Sequence, residues 1–390
     1  MINTAFWQGK RVFITGHTGF KGSWLCIWLH ELGAIVQGYS LSVPTTPSLF
    51  NEANLDKKFR SEQGDIRDSA HLLACMQHFK PEIVFHLAAQ PLVRLSYDLP
   101  METYTTNVIG TVSLFEAVRH TEGVKAVVNV TSDKCYENRE WLWGYREDEA
   151  MGGFDPYSSS KGCAELITSS YRQSFFNAAN YHEHGCAIAS ARAGNVIGGG
   201  DWASDRLIPD ILNAFSNRQV VNIRNPNAIR PWQHVLEPLS GYLLLAEKLY
   251  THGIEFSEGW NFGPRENEAQ PVQWIVDKLV SQWGDGAHWC NDERSHPHEA
   301  HYLKLDCSKA RMKLKWQPTW ELEHTLNRIV DWHKEWLAGA DIYDYTVTEI
   351  SDFMSASQKL NYRNTHTGDE YVKEHNTSGN SLLGSAICST

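Results

Sequence analysis

The chain of 390 residues predicts an α/β protein: a doubly wound parallel sheet followed by a smaller mixed α/β lobe. Three observations predict it. Strand-like and helix-like segments alternate from the N-terminus. The strands are continuous apolar runs, as expected of strands covered on both faces. A glycine-spaced turn joins the first strand to the first helix. In order, KRVFIT (10–15) is a strand and GSWLCIWLHEL (22–32) a helix closed by Gly33. Strands at 35–39, 83–87, 124–130 and 186–193 then alternate with helices over 69–79, 104–120 and 157–178, and the segment ending at Gly64 is counted as the third strand. Past about 195 the rhythm loosens. Gly198, Gly199, Gly200 and Asp201 break the chain, helices are expected near 207–216, 236–250, 271–283 and 321–338, and short strands at 220–223, 260–263 and 302–306. Residues 1–195 are therefore one domain, 196–355 a lobe interwoven with it, and 356–390, polar and rich in Asn, Thr, Ser and Gly, a disordered tail.

Composition narrows the function classes. Hydrophobic residues make up 42% and charged residues 21%, ordinary for a globular protein. The net charge of −11 and the lack of a basic run argue against a nucleic-acid partner. Eight cysteines without a CxxC pair read as reduced thiols, and with no leader-like or membrane-spanning run the expected location is the cytoplasm. His296, His298 and His301 form an H-x-H-x-x-H run interrupted by Pro297, and no metal site is expected there.

The first strand runs into Thr15-Gly16-His17-Thr18-Gly19-Phe20-Lys21-Gly22. Glycines three apart let the turn close, let backbone N–H groups approach a pyrophosphate and seat the helix on the strand. Three such glycines arise by chance with a likelihood of roughly 0.14, so it is their place between first strand and first helix that makes this a Rossmann signature. No acidic residue ends the second strand, where Gly38-Tyr39-Ser40-Leu41 stands, and no arginine follows, which favours NAD over NADP. Asp65 and Ile66 in GDIRD follow the third strand, where the Asp can accept from an adenine amino group, although Asp68 or Ser69 would equally serve as a helix N-cap. Leu87, Ala88, Ala89 and Gln90 follow the fourth, where small residues let a cofactor lie close to backbone or simply pack helix on sheet. Tyr157 and Lys161 lie four apart at the start of a helix and so share a face, where an ammonium together with a positive nicotinamide ring favours the phenolate. That makes Tyr157 a base for a hydroxyl proton. Ser132 and Asp133 end the fifth strand, at the edge where parallel sheets bind ligands; Ser-Asp is also ordinary turn chemistry.

In that order these motifs resemble the extended short-chain dehydrogenases. TSDKCY, PYSSSKGCAE, ARAGNVIGGGDWASDRLIPD and RPWQHVLEPLSGYL resemble its sugar-nucleotide dehydratase/epimerase branch, and within that the forms acting on CDP-glucose, over about residues 5–350. The resemblance implies NAD as cofactor, a nucleotide sugar as substrate, a homo-oligomer (dimer or tetramer) and loss of water in deoxysugar precursor synthesis. It implies Tyr157 as base, Lys161 as its partner, Ser132 as the O4 contact and Asp133 as the acid for the leaving hydroxyl. It adds Thr106 to the cofactor contacts, and Gln90, Arg94, Asn195, Arg206 and Arg230 to the substrate contacts. A C4 epimerase would share Tyr157, Lys161 and Ser132 but need no acid at Asp133. One departure matters: where related dehydratases carry a Glu that removes the C5 proton, this chain has Lys134, so either Lys134 acts in its neutral form or another group removes that proton.

Overall fold

A computed structural model describes residues 1–292 and 303–378. Among them, seven strands form one parallel sheet: β1 (Arg11–Thr15), β2 (Ile35–Ser40), β3 (Arg60–Gln63), β4 (Ile83–His86), β5 (Ala126–Val130), β6 (Ala187–Arg192) and β7 (Gly259–Asn261). Their order is β3-β2-β1-β4-β5-β6-β7, and every neighbouring pair is parallel. The order reverses between β1 and β4, which opens a ligand crevice at the carboxyl ends of those strands.

The apolar runs are explained by two cores, one on each face. Val12, Ile14, Phe85, Val128 and Ala189 enter one core, while Phe13, Val84, Val127 and Ile188 enter the other. Alternate residues point oppositely, so a strand buried on both faces must be apolar at every position. The longer helices are α1 (Phe20–Glu31), α2 (Ser69–Phe79), α3 (Gly110–Arg119), α4 (Pro156–Ser174), α5 (Leu207–Ser216), α6 (Leu236–His252), α7 (Val272–Trp283), α8 (Leu322–Leu337) and α9 (Ile342–Ser378). Asp68 caps α2 and Asp155 caps α4, which carries Pro156 in its first turn. A third cluster, from Ile211 and Phe215 of α5 to Ile275 of α7 and Leu326 of α8, makes the core of the second lobe.

Four expectations differ from the structure. The strand expected at 260–263 does form, at 259–261, but on the edge of the main sheet beside β6. Only a single bridge, Leu305 to Tyr145, stands in place of the strand expected at 302–306. The helix expected at 104–120 begins earlier, at Pro100–Tyr104, and passes through a π-helical turn, Thr105–Ile109, before α3. The tail expected from 356 is helical as far as Ser378: α9 anchors itself by burying Ile342, Ile350 and Phe353, and no proline interrupts it. His296, His298 and His301 lie outside the described residues. No helix among the described residues is long and apolar enough to cross a membrane.

Candidate active site

The glycine turn leaves β1 with Gly16 at φ +75°, and a Cβ there would stand 2.6 Å from the Ala88 nitrogen at the exit of β4. A Cβ on Gly22 would stand 2.2 Å from the Gly16 carbonyl oxygen. The two glycines are thus required for close approach, and Gly19 caps α1 without a side-chain hydrogen bond to the first-turn N–H groups. Donors with no side-chain partner, at the positive end of a helix dipole, suit an anion. Phe20 reaches across to Gly198, whose Cβ would lie 3.0 Å from its ring. Ala88 N–H donates to Thr15 Oγ1 at 3.2 Å, and Leu87, Ala88 and Ala89 are half-buried beside the turn. Thr106 lies, half-buried, in the π-helical turn.

At the far end of this crevice, where the acidic residue is missing, Thr18 and Ser40 hydroxyls pair at 2.9 Å. Arg67 clasps the Asp65 carboxylate, Nη2 to Oδ2 at 2.6 Å, and holds it below the usual carboxylate range. Ile66 is buried against Gly110.

The other end gathers the expected catalytic residues. Ser132 donates to Asp133 Oδ1 at 3.0 Å and accepts from Lys134 N–H at 3.2 Å, so the turn after β5 locks both side chains. Asp133 is buried against Gly194, where a Cβ would sit 1.8 Å from Oδ2; any other residue at 194 would displace it. Tyr157 N–H is held by Ser96 Oγ at 3.1 Å. Burial pushes the Tyr157 phenol up to about 12, against the lowering effects of Ser132 and the Arg206 charge. Within the protein alone burial outweighs the cations, and Arg206 is the cation with the larger influence; the lowering expected at Tyr157 also counts on a positive nicotinamide ring. Lys161 is buried and pulled down to about 8 by desolvation, with Glu165 opposing. Lys21 is likewise pulled down to about 8, by burial and by the charges of Arg206 and Lys161. Its ammonium therefore shares the reacting end of the cleft and not only the phosphate turn.

The expected substrate contacts divide. Arg206 pairs with Asp201 at 2.8 Å, and Arg94 with Asp205 at 3.2 Å. Arg224, which sequence reasoning missed, reaches the same Asp205 at 3.5 Å. Asn195 takes φ +46° beside Gly194. Arg230 lies on a short strand, Ile229–Pro231, paired antiparallel with Ala269–Pro271. The Gln90 carboxamide is occupied inside its own loop, donating to Leu92 O at 3.0 Å and Thr103 Oγ1 at 2.9 Å.

Beneath the site runs a buried network that no motif announces. Glu165 accepts from Ser190 Oγ at 2.6 Å and from Arg192 Nη2 at 2.8 Å, and Arg192 Nη1 donates to Tyr136 Oη at 2.6 Å. Although burial opposes it, Arg192 holds Glu165 below its ordinary value. Glu165 is the fourth residue after Lys161 on α4, a spacing that relates it to Lys161 and not to Arg192 or Tyr136. His86 bonds Thr15 Oγ1 at 2.7 Å, and burial drives its imidazole down to about 3, so it is neutral.

A glycine cradle at a helix N-terminus, with Tyr157, Lys161, Ser132 and Asp133 over its inner end, defines an extended short-chain dehydrogenase. The family profile described as GDP-mannose 4,6 dehydratase matches residues 13–329, and the chain belongs to that family. It is 65% identical over 359 residues to the CDP-glucose 4,6-dehydratase of Salmonella typhimurium, covering 92% of this chain and 100% of the relative. It is 22% identical to the dTDP-glucose 4,6-dehydratase of Escherichia coli, over 84% of this chain and 95% of that one. Among solved structures, the UDP-glucose 4-epimerase of Thermotoga maritima shares the fold at a TM-score of 0.71 and 23% identity, over 84% of this chain and 99% of that chain.

Proposed function

We propose that this chain is a lyase that converts CDP-glucose to the 4-keto-6-deoxy sugar nucleotide, with NAD as a recycled cofactor. The placement of Asp133 carries the reading: hydrogen-bonded to Ser132 and wedged against Gly194, close enough to Tyr157 to raise its pKa. An acid so placed has work to do in eliminating water and none in epimerisation. CDP as the nucleotide is supported by the full-length relative at 65% identity.

The cradle fits a dinucleotide, because a Cβ would fill the space at Gly16 and Gly22 and the first turn of α1 is without a side-chain cap. Gly16, Gly19, Phe20, Lys21 and Gly22 would hold the pyrophosphate. Asp65 and Ile66 would meet the adenosine, while Leu87, Ala88, Ala89 and Thr106 line the inner end with Tyr157 and Lys161. When bound, NAD supplies a reversible hydride acceptor.

Tyr157 takes the proton from the sugar O4, which Ser132 holds in place. Its raised phenol needs positive charge at hand, and Lys161, Lys21 and Arg206 concentrate it there. Oxidation at C4 acidifies C5–H; loss of that proton and of the C6 hydroxyl, protonated by Asp133, leaves water and a C5–C6 double bond. Hydride returned to C6 and a proton to C5 complete the product. Lys134, whose backbone N–H is held by Ser132 Oγ, is the candidate for the C5 base. Solvent deuterium incorporation at C5 by Lys134→Met tests this assignment: lost exchange supports it, and retained exchange clears Lys134. Arg206, Arg94, Arg230 and Asn195 would anchor the diphosphate, with Gln90 shaping the loop above.

Self-association fits the exposed apolar residues Met101, Ile109 and Leu166 on packed helices, and the free cysteines fit a reducing cytoplasm. Incubation with a panel of nucleotide-glucoses tests the function. A 4-keto-6-deoxy product from CDP-glucose is expected; a C4 epimer, or no turnover of any glucose nucleotide, would overturn it.

A further inference from the structure

Away from the reacting groups, Glu62, His71 and Cys75 meet at the outer edge of the sheet. Glu62 comes from β3, and His71 and Cys75 are four apart on α2, so the helix projects both toward the strand. One ligand atom from each, a carboxylate oxygen, an imidazole nitrogen and the thiol sulfur, lies within 4.8 Å of the other two. Ligands about a tetrahedral ion sit roughly 2.0–2.3 Å from it, so atoms this close need only contract by small side-chain rotations to surround one.

The hydrogen bonding around His71 sharpens the point. Tyr39 Oη donates its proton to the Asp65 carbonyl at 2.9 Å and lies 3.5 Å from His71 Nδ1. With its proton committed, that oxygen can accept from Nδ1–H, one of the two tautomers open to the ring. In that tautomer Nε2 offers its lone pair to a metal, in the other it donates to Glu62 Oε1 at 3.1 Å, and Cys75 closes the group. A proton holds the 3.1 Å contact, and an entering metal would displace it. An outer oxygen able to accept from the second ring nitrogen is a usual companion of a ligating histidine.

We propose that Glu62, His71 and Cys75 form a divalent-metal site suited to zinc, separate from the catalytic groups. A thiolate and a carboxylate balance the charge of a dication, and thiolate with imidazole favours zinc over magnesium or calcium. Three protein ligands leave a fourth position for water. The Glu62 and His71 side chains are 44% and 38% exposed, so an ion can enter from solvent. Through Tyr39 the site adjoins Asp65, so the metal would stiffen the β3–α2 edge of the crevice.

The test uses the full chain, stripped with chelator and titrated with zinc or cobalt(II). One equivalent per chain is expected, with a thiolate-to-cobalt charge-transfer band. Cys75→Ser and Glu62→Gln are each expected to weaken binding by roughly a hundredfold while turnover stays intact. Replacing His296, His298 and His301 by Ala is expected to leave it unchanged. In the unaltered protein, zinc should slow alkylation of Cys75, mapped by mass spectrometry, at least about tenfold. Absence of stoichiometric binding, a cobalt complex without the thiolate band, undiminished affinity in both variants, or unprotected Cys75 would each overturn the proposal.

Discussion

The two ends of the crevice are built on different physics. At the inner end Tyr157, Lys161 and Asp133 are buried, and desolvation is the largest influence on Tyr157 and Lys161. At the adenosine end Asp65 and Arg67 are 30% and 39% exposed, and their direct pairing is the largest influence on both. Water screens the second pair, so it positions a ligand without storing much energy. At the inner end, charge is expensive, and each group acts through the others.

The largest expected effect follows from that contrast. Tyr157→Phe should lower kcat by roughly 10²–10⁴-fold with the fold intact, measured by steady-state kinetics and circular dichroism. Next comes the network below. Glu165→Ala leaves the Arg192 guanidinium buried without its counter-charge and should cost about 3–5 kcal/mol in denaturant unfolding; a loss below about 1 kcal/mol would show that the pair is not coupled as drawn.

Lys161 gives a prediction of opposite sign. Its folded value, about 8, lies below the ordinary 10.5, so between them the unfolded chain binds more protons and stability rises with pH. Below 8 the buried ammonium carries its full penalty. Lys161→Met should therefore stabilise the protein at pH 7 by on the order of 3 kcal/mol while abolishing turnover. The same titration predicts that kcat/KM of the unaltered enzyme falls as pH rises through about 8. Unchanged stability in Lys161→Met would contradict the buried-charge account. The smallest effect belongs to the exposed end: Arg67→Ala should weaken NAD binding only a few-fold, under about 1 kcal/mol, read by fluorescence titration.

The contrast also explains what the sequence disclosed. The glycine turn, the succession of strands along the chain through β6, and the Tyr157–Lys161 and Ser132–Asp133 pairs are local patterns, so they are legible in one dimension. The partnership of Glu165 with Arg192 and Tyr136, the sharing of Asp205 by Arg94 and Arg224, and the docking of β7 beside β6 join residues far apart in the chain. Nothing in composition or periodicity announces such contacts. The burial of Tyr157 is hidden for a related reason: spacing reveals a neighbouring charge but not the depth of burial that opposes it. The extent of α9 was hidden because its polar second half lacks the apolar period by which helices are recognised.

The most direct test is the fate of one hydrogen. CDP-glucose carrying deuterium at C4 should give a 4-keto-6-deoxy product with that deuterium at C6, without added reductant. Deuterium retained at C4 of an epimer, or lost to solvent, would contradict the account.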